Sequence, residues 1–190
     1  MNQRQLLGLG ALLVALAASG CILISAQILT HFSLPNPFTI DSSLIDHAER
    51  IPVDLSVDVG KDYTDNKDKL KDIGDFAILG KFTNVNGPAS PYGGVLVYIA
   101  PDLVGLPGGA PSIPSNAVLL WGPGKIGPTG SVRTIGWDES AALFKPAGKA
   151  LLLSEVKGDG QFTLYATGSA ATFDIRVDDG VFALLLDAGK

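Results

Sequence analysis

The order of apolar and polar positions divides the chain in two. From Leu6 to Thr30 there are 25 residues without a charged side chain, and the first thirteen, Leu6–Ala18, have no polar side chain at all. Beyond them the pattern breaks into short segments. "VDLSVDV" (53–59) alternates with period two, as a half-buried strand does. "FAILGKFTNV" (76–85) puts Phe76, Ile78 and Phe82 on one side, with Gly80 where a bulge would fall. "VLVYIA" (95–100), "NAVLLW" (116–121) and "SVRTIGW" are further strand candidates. Near the end, "QFTLYATG", "TFDIRV" and "VFALLLDA" are three strands. The last two are joined by "DDG", whose Asp179–Gly180 suits a type I′-like hairpin turn.

Helical patterns are few and short. Asp41 or Ser42 can cap a helix through "SLIDHAER", which must stop before Pro52. Thr64 or Asp65 can cap about two turns with Leu70 and Ile73 as the apolar face and Gly74 as terminator. Asp138 caps "DESAALF", with Pro146 just beyond, and "KALLLSEV" fits helix or strand equally. "HFSLPNPF" (31–38) has two prolines and no period, so it reads as a linker. Between Pro101 and Gly130, thirteen of thirty residues are Pro or Gly, which excludes a propagating helix and predicts long loops around "NAVLLW". The expected fold is mainly β: an antiparallel β-sandwich or partly open barrel with one or two short helices, preceded by an amino-terminal hydrophobic helix. Residues 1–30 are expected to be a signal peptide or transmembrane anchor, 31–50 a linker, and 51–190 the β domain, whose core needs nothing from residues 1–40.

Composition narrows the function. The net charge is −5 and no basic cluster of five residues occurs, so the positive footprint that nucleic acid requires is missing. A single cysteine, Cys21, excludes an internal disulfide framework and a multi-thiolate zinc site. Cys21 stands directly behind the small residues Ala18, Ser19 and Gly20, which follow the thirteen-residue apolar core of a signal peptide. "LAASGC" (16–21) resembles a bacterial lipobox, with Ala18 where leucine is commonest. The resemblance implies that Cys21 is acylated and becomes the mature amino terminus. The competing reading is an uncleaved span, because Leu6–Thr30 is long enough to cross a bilayer. An ordinary secretory signal is the third. All three put residues 31–190 outside the cytoplasm, in a bacterial periplasm or at the cell surface. From about Ile51 onward, "FTNV" at 82–85, "VLVYIA" and "GQFTLYATG" resemble the late-embryogenesis-abundant-type β-sandwich of bacterial lipoproteins.

Candidate chemistry is sparse. "GPGKIG" (122–127) has the G-x-G-x-x-G spacing, but Pro128, Thr129 and Gly130 follow where a dinucleotide site needs a helix to open. It reads as a loop. Asp62, Asp65, Asp68, Asp72 and Asp75 could supply oxygen ligands to calcium, yet the EF-hand spacing is absent and Lys67, Lys69 and Lys71 alternate with them, as on a solvated face. The histidines, His31 and His47, both lie in the amino-terminal quarter, and there is no G-x-S-x-G. Tyr98, Trp121 and Trp137 fit core positions better than a binding cleft. No catalytic, cofactor-binding or metal-ligating residue is therefore singled out, and Cys21 is the one candidate site, for lipidation. The expectation is a membrane-tethered extracytoplasmic structural or interaction domain without catalytic activity. Its partners would be the membrane and other envelope or membrane proteins, not nucleic acid. The alternatives are a single-span accessory subunit of a membrane complex and an envelope ligand- or calcium-binding domain.

Overall fold

The computed structural model describes residues 25–41, 48–86, 94–101, 113–168 and 173–189. The protein is mainly β, with antiparallel sheets and few helices. One sheet is built on β9 (Asp174–Gly189). Along one side β9 pairs with β1 (Ser25–Ser33), from Ser25↔Gly189 to Ser33↔Val181, and then with β2 (Phe38–Asp41), from Phe38↔Val177 to Asp41↔Asp174. Along its other side runs β4 (Leu70–Asn86), and β7 (Val132–Ile135) adds to the outer edge of β4. The second sheet has the order β3 (Glu49–Asp54), β8 (Gln161–Gly168), β5 (Gly94–Pro101), β6 (Val118–Lys125). The helices are α1 (Leu55–Asp58), α2 (Lys61–Thr64), a 3-10 turn (Lys67–Lys69), α3 (Trp137–Ala142) and α4 (Pro146–Lys157).

One apolar core draws on both sheets. Ile40, Ile73, Phe82, Val177, Phe182 and Leu184 enter it from the first, and Val53, Ile99, Leu120, Phe162 and Leu164 from the second. Phe32 stacks on Phe182 at 5.1 Å between ring centroids, which seats β1 on the core. The segment from α3 to α4 closes the side where β6 meets β4. Trp121, fully buried, donates from Nε1 to the carbonyl oxygen of Ser140 (3.0 Å) and to its Oγ (3.1 Å). Ser140 Oγ also accepts from Ile78 N (2.7 Å) and donates to Ile78 O (2.9 Å). β7 stops opposite Gly80, so the Ser140 hydroxyl supplies to β4 the partner that a longer neighbouring strand would give.

Several segments differ from the sequence pattern. Residues 31–50 are not a linker through most of their length: β1, β2 and the start of β3 lie there, and the paired edge of β9 depends on the first two. The apolar run loses Ser25–Thr30 to β1, so any span or signal helix must end earlier; residues 1–24 lie outside the described residues. Residues 42–47 of the expected first helix also lie outside them, while Asp41 ends β2 and Glu49 opens β3. The strand read over 53–59 ends at Asp54, because Asp54 Oδ1 accepts from Ser56 N (2.9 Å) and starts α1.

The helix with Leu70 and Ile73 as its face is instead the start of β4. Register shifts between Leu70 and Asp72 and between Ile73 and Asp75 insert extra residues, so inward positions fall three apart as in a helix. Gly74 is within this strand and terminates nothing. Gly80 does lie at a shift, between Leu79 and Lys81. "GPGK" belongs to β6 and not to a loop. α3 begins at Trp137, capped by Gly136, and "KALLLSEV" is helical within α4, where Pro146 takes the first turn.

The Asp179–Gly180 hairpin is absent. β9 passes straight through it, with Asp179 at φ 54° forming a bulge opposite Gly80. Asn36 Nδ2 donates to Asp179 Oδ1 and Asp179 N donates to Asn36 Oδ1, both at 3.1 Å. This side-chain ring satisfies the bulge where β1 gives way to β2. Turn chemistry legible as a hairpin is thus used to bend a strand.

Candidate functional site

Cys21, the lipidation candidate, lies outside the described residues, but the chain's first described residue, Ser25, is four positions beyond it and already in β1. Whatever holds Cys21 therefore holds the end of β1 close by. At no more than about 3.5 Å per residue, the connection reaches on the order of 14 Å.

Next to this point the outer face of the β9 sheet carries an apolar strip, flanked on β1 by the exposed Gln27, His31 and Ser33. Leu29 is 62 % exposed and pairs with the half-buried Leu185. Val181 and Leu79, paired with each other and half-buried, continue the band across β9 and β4, with Ala183 and Ala77 beneath them. At the Ser25 end the band is rimmed by polar groups, where Gln27 Nε2 donates to Asp187 Oδ1 (3.1 Å). At its far end lie Lys81, Arg176 and Asp178, with Arg176 Nε donating to Asp178 Oδ1 (2.9 Å). An apolar strip with a polar rim is the surface type that binds partners.

The other candidates disperse. Asp62 lies in α2, Asp65 is its C-cap, Asp68 is in the 3-10 turn, and Asp72 and Asp75 are in β4. Asp75 Oδ2 accepts from Trp137 Nε1 (2.7 Å), and Lys69 Nζ donates to Asp65 O (3.3 Å). Among the described residues, no three His, Cys, Asp or Glu side chains come together to hold a metal ion, and no helix is long and apolar enough to cross a membrane. His31 is exposed in β1, and His47 lies outside the described residues. The glycines of "GPGKIG" serve packing: a Cβ on Gly122 would come within 2.5 Å of Val95 O, and one on Gly124 within 2.3 Å of the Trp121 ring.

The three aromatic candidates do not share a cleft. Trp121 is core, Trp137 is tied to Asp75, and Tyr98 packs with Ala48, Ala100 and Tyr165 in a separate cluster. Between the sheets there is a cavity of about 20 Å³, lined only by apolar side chains such as Phe38, Ile51, Phe82, Val95, Leu164 and Phe182. It has room for about one water but no polar group to hold it, so it is a packing gap.

Three ionisable groups are displaced. Burial raises Glu49 above the usual carboxylate range. Burial, with Asp41 adding, raises Asp174. Tyr63, which donates to Val156 O (2.9 Å), is raised by burial and then by Asp159, Asp54 and Asp68. Asp41 and Asp174 sit opposite each other where β2 pairs with β9, and the others are likewise at strand or helix ends. They bear on stability and form no constellation. Sequence reasoning missed the outer face; the signal was the spacing of Leu79 two positions from Ala77, and of Val181, Ala183 and Leu185, on the side opposite the core. No known family model matches the chain, and no curated protein matches it.

Proposed function

We propose that this chain is an extracytoplasmic domain of a bacterial envelope, held at a membrane by acylated Cys21 and acting through protein contacts rather than catalysis. The two sheets pack as an antiparallel β-sandwich, and the outer face of the β9 sheet is its contact surface. The observation that carries this reading is the start of β1 at Ser25, four residues after the lipobox-like "LAASGC".

That start weighs against the span. With Ser25–Thr30 committed to β1, the uncharged run left is Leu6–Ile24, nineteen residues. At 1.5 Å per residue this reaches about 28 Å, which only just matches the roughly 30 Å hydrocarbon core and leaves no residue for an exit before β1. Acylation has no such requirement. A multiply acylated cysteine anchors stably, whereas one chain binds only marginally. Intact-mass measurement of the membrane-extracted protein tests the reading. A chain beginning at Cys21 with acyl mass is expected, and Cys21→Ser leaves a precursor longer by residues 1–20. An unmodified chain beginning at Met1 would overturn it in favour of the single-span accessory subunit.

A further inference from the structure

We propose that the edge of β1, which has no neighbouring strand among the described residues, pairs with β1 of a second copy of this chain, antiparallel and two-fold symmetric about Leu29, joining two β9 sheets into one. This deepens the function above by naming the partner, and it rests on the interaction part of that reading, not on the tether.

The other strand edges among the described residues are blocked, each by a recognisable device. β3 has Pro52 at its middle and Glu49, Arg50 and Asp54 around it. β6 is covered by the segment after α3: Gly122 N donates to Leu143 O (3.1 Å), and Lys145 N donates to Leu120 O (2.9 Å). β7 is four residues long, with Arg133 paired to Glu139 of α3, and Ser140 caps β4 beyond it. β2 is four residues long and ends in Asp41.

Among the described residues, β1 has none of these. Its nine residues, "SAQILTHFS", include no proline and no Asp, Glu, Lys or Arg. The direction of its free groups is fixed by one bond. Leu34 N donates to Gly180 O (2.8 Å), continuing the register Ser33↔Val181. In an antiparallel ladder alternate residues bond to the same neighbour, so the even positions of β1 serve β9. The N–H and C=O groups of Ser25, Gln27, Leu29, His31 and Ser33 point away from it.

This row fits a copy of itself. Leu29 is the midpoint of Ser25–Ser33, so a two-fold axis there sets Leu29 against the partner's Leu29, Gln27 against the partner's His31, and Ser25 against the partner's Ser33. Every outward N–H then meets a C=O. The strand has no Asp, Glu, Lys or Arg, and the two copies of His31 face Gln27 rather than each other, so no like charges are set opposite. The exposed Leu29 and its neighbour Leu185 would join their copies, making the apolar bands of the two sheets continuous. A bilayer is the poorer occupant, since the rim nearest the tether carries Asp187, Asp72 and Asp75.

The test is the mass of the full chain in detergent by analytical ultracentrifugation. A dimer is expected, and Leu29→Lys should abolish it at concentrations where the parent is fully dimeric. The circular dichroism spectrum should not change, and the denaturation midpoint should match that of the parent at a dilution where the parent is monomeric. Val132→Lys, on the same face but at the far edge and 55 % exposed, should remain a dimer. Should Leu29→Lys fail to fold, the double variant Cys21→Ser, Leu29→Cys decides. Paired residues in such a ladder lie about 5.5 Å apart between Cα atoms, within disulfide range, so oxidation should cross-link the copies. A dimer insensitive to Leu29→Lys, or a double variant that does not cross-link on oxidation, would overturn the pairing. So would a monomer, whether or not it binds lipid vesicles through Leu29. A monomer carrying acyl chains would refute the pairing and leave the tethered interaction domain standing.

Discussion

Ser140→Ala removes one hydroxyl, and the structure sets what that costs. Ser140 Oγ is the partner of both Ile78 N and Ile78 O, and the residue is fully buried, so water cannot take its place. A buried backbone group left without a partner costs about 1–3 kcal/mol, and two are orphaned here. Trp121 Nε1 keeps the Ser140 carbonyl oxygen at 3.0 Å, which limits the damage. Alanine's better helix propensity returns about 0.5 kcal/mol. The net loss should be about 2–5 kcal/mol, a large part of the roughly 5–15 kcal/mol that holds a domain together. Urea denaturation followed by tryptophan emission measures it, because Trp121 is fully buried. Hydrogen exchange at the Ile78 amide should accelerate before global unfolding. A midpoint shift equivalent to less than about 0.5 kcal/mol, with unchanged slope, would refute the view that this hydroxyl completes the edge of β4.

Gly148→Ala should destabilise by about 1–3 kcal/mol despite lying inside a helix, where alanine usually helps, because its Cβ would come within 2.4 Å of Leu120 Cα; thermal melts read this directly. Asp174→Asn should stabilise the protein at pH 7. The carboxyl is raised in the fold by burial and Asp41, so its favourable contribution is complete at low pH and is lost as pH rises through the folded value. The advantage of Asn should therefore vanish below about pH 4, as melts across pH would show. A chain cut to residues 51–190 should fail to give a cooperative β fold, whereas one beginning at Ile22 should succeed, since β1 and β2 cover one whole side of β9; circular dichroism with denaturation separates the two.

The strands that alternate or form uninterrupted apolar runs, β5, β8 and the middle of β4, were legible because their inward positions keep period two. The start of β4 was not. Two bulges space Leu70, Ile73 and Phe76 three apart, which local pattern cannot distinguish from a helix. β1 was hidden by its neighbours: joined to Leu6–Ile24, its "AQIL" extends an apolar run, and only pairing with β9 marks it as a strand. Asp179–Gly180 has hairpin chemistry, but the flanking segments pair with β4 and β1 rather than with each other. The apolar strip of the outer face depends on three strands distant in sequence, so no local window contains it.

The position of β9 governs how the domain can be made. The last strand of the chain is the one on which β1, β2 and β4 all pair, and Ser25 finds its partner in Gly189. Nothing in the first sheet except the β4–β7 pair has its neighbour until the carboxy-terminal residues are available, so a chain emerging amino terminus first cannot assemble that sheet progressively. Contacts this remote in sequence make folding slow, and the waiting strands are exposed to mispairing meanwhile. The first sheet stays incomplete until β9 is available. Loss of even the last few residues, from Leu184 onward, would remove the pairing partner of Ser25–Thr30 and so disable the beginning of the chain as well as its end.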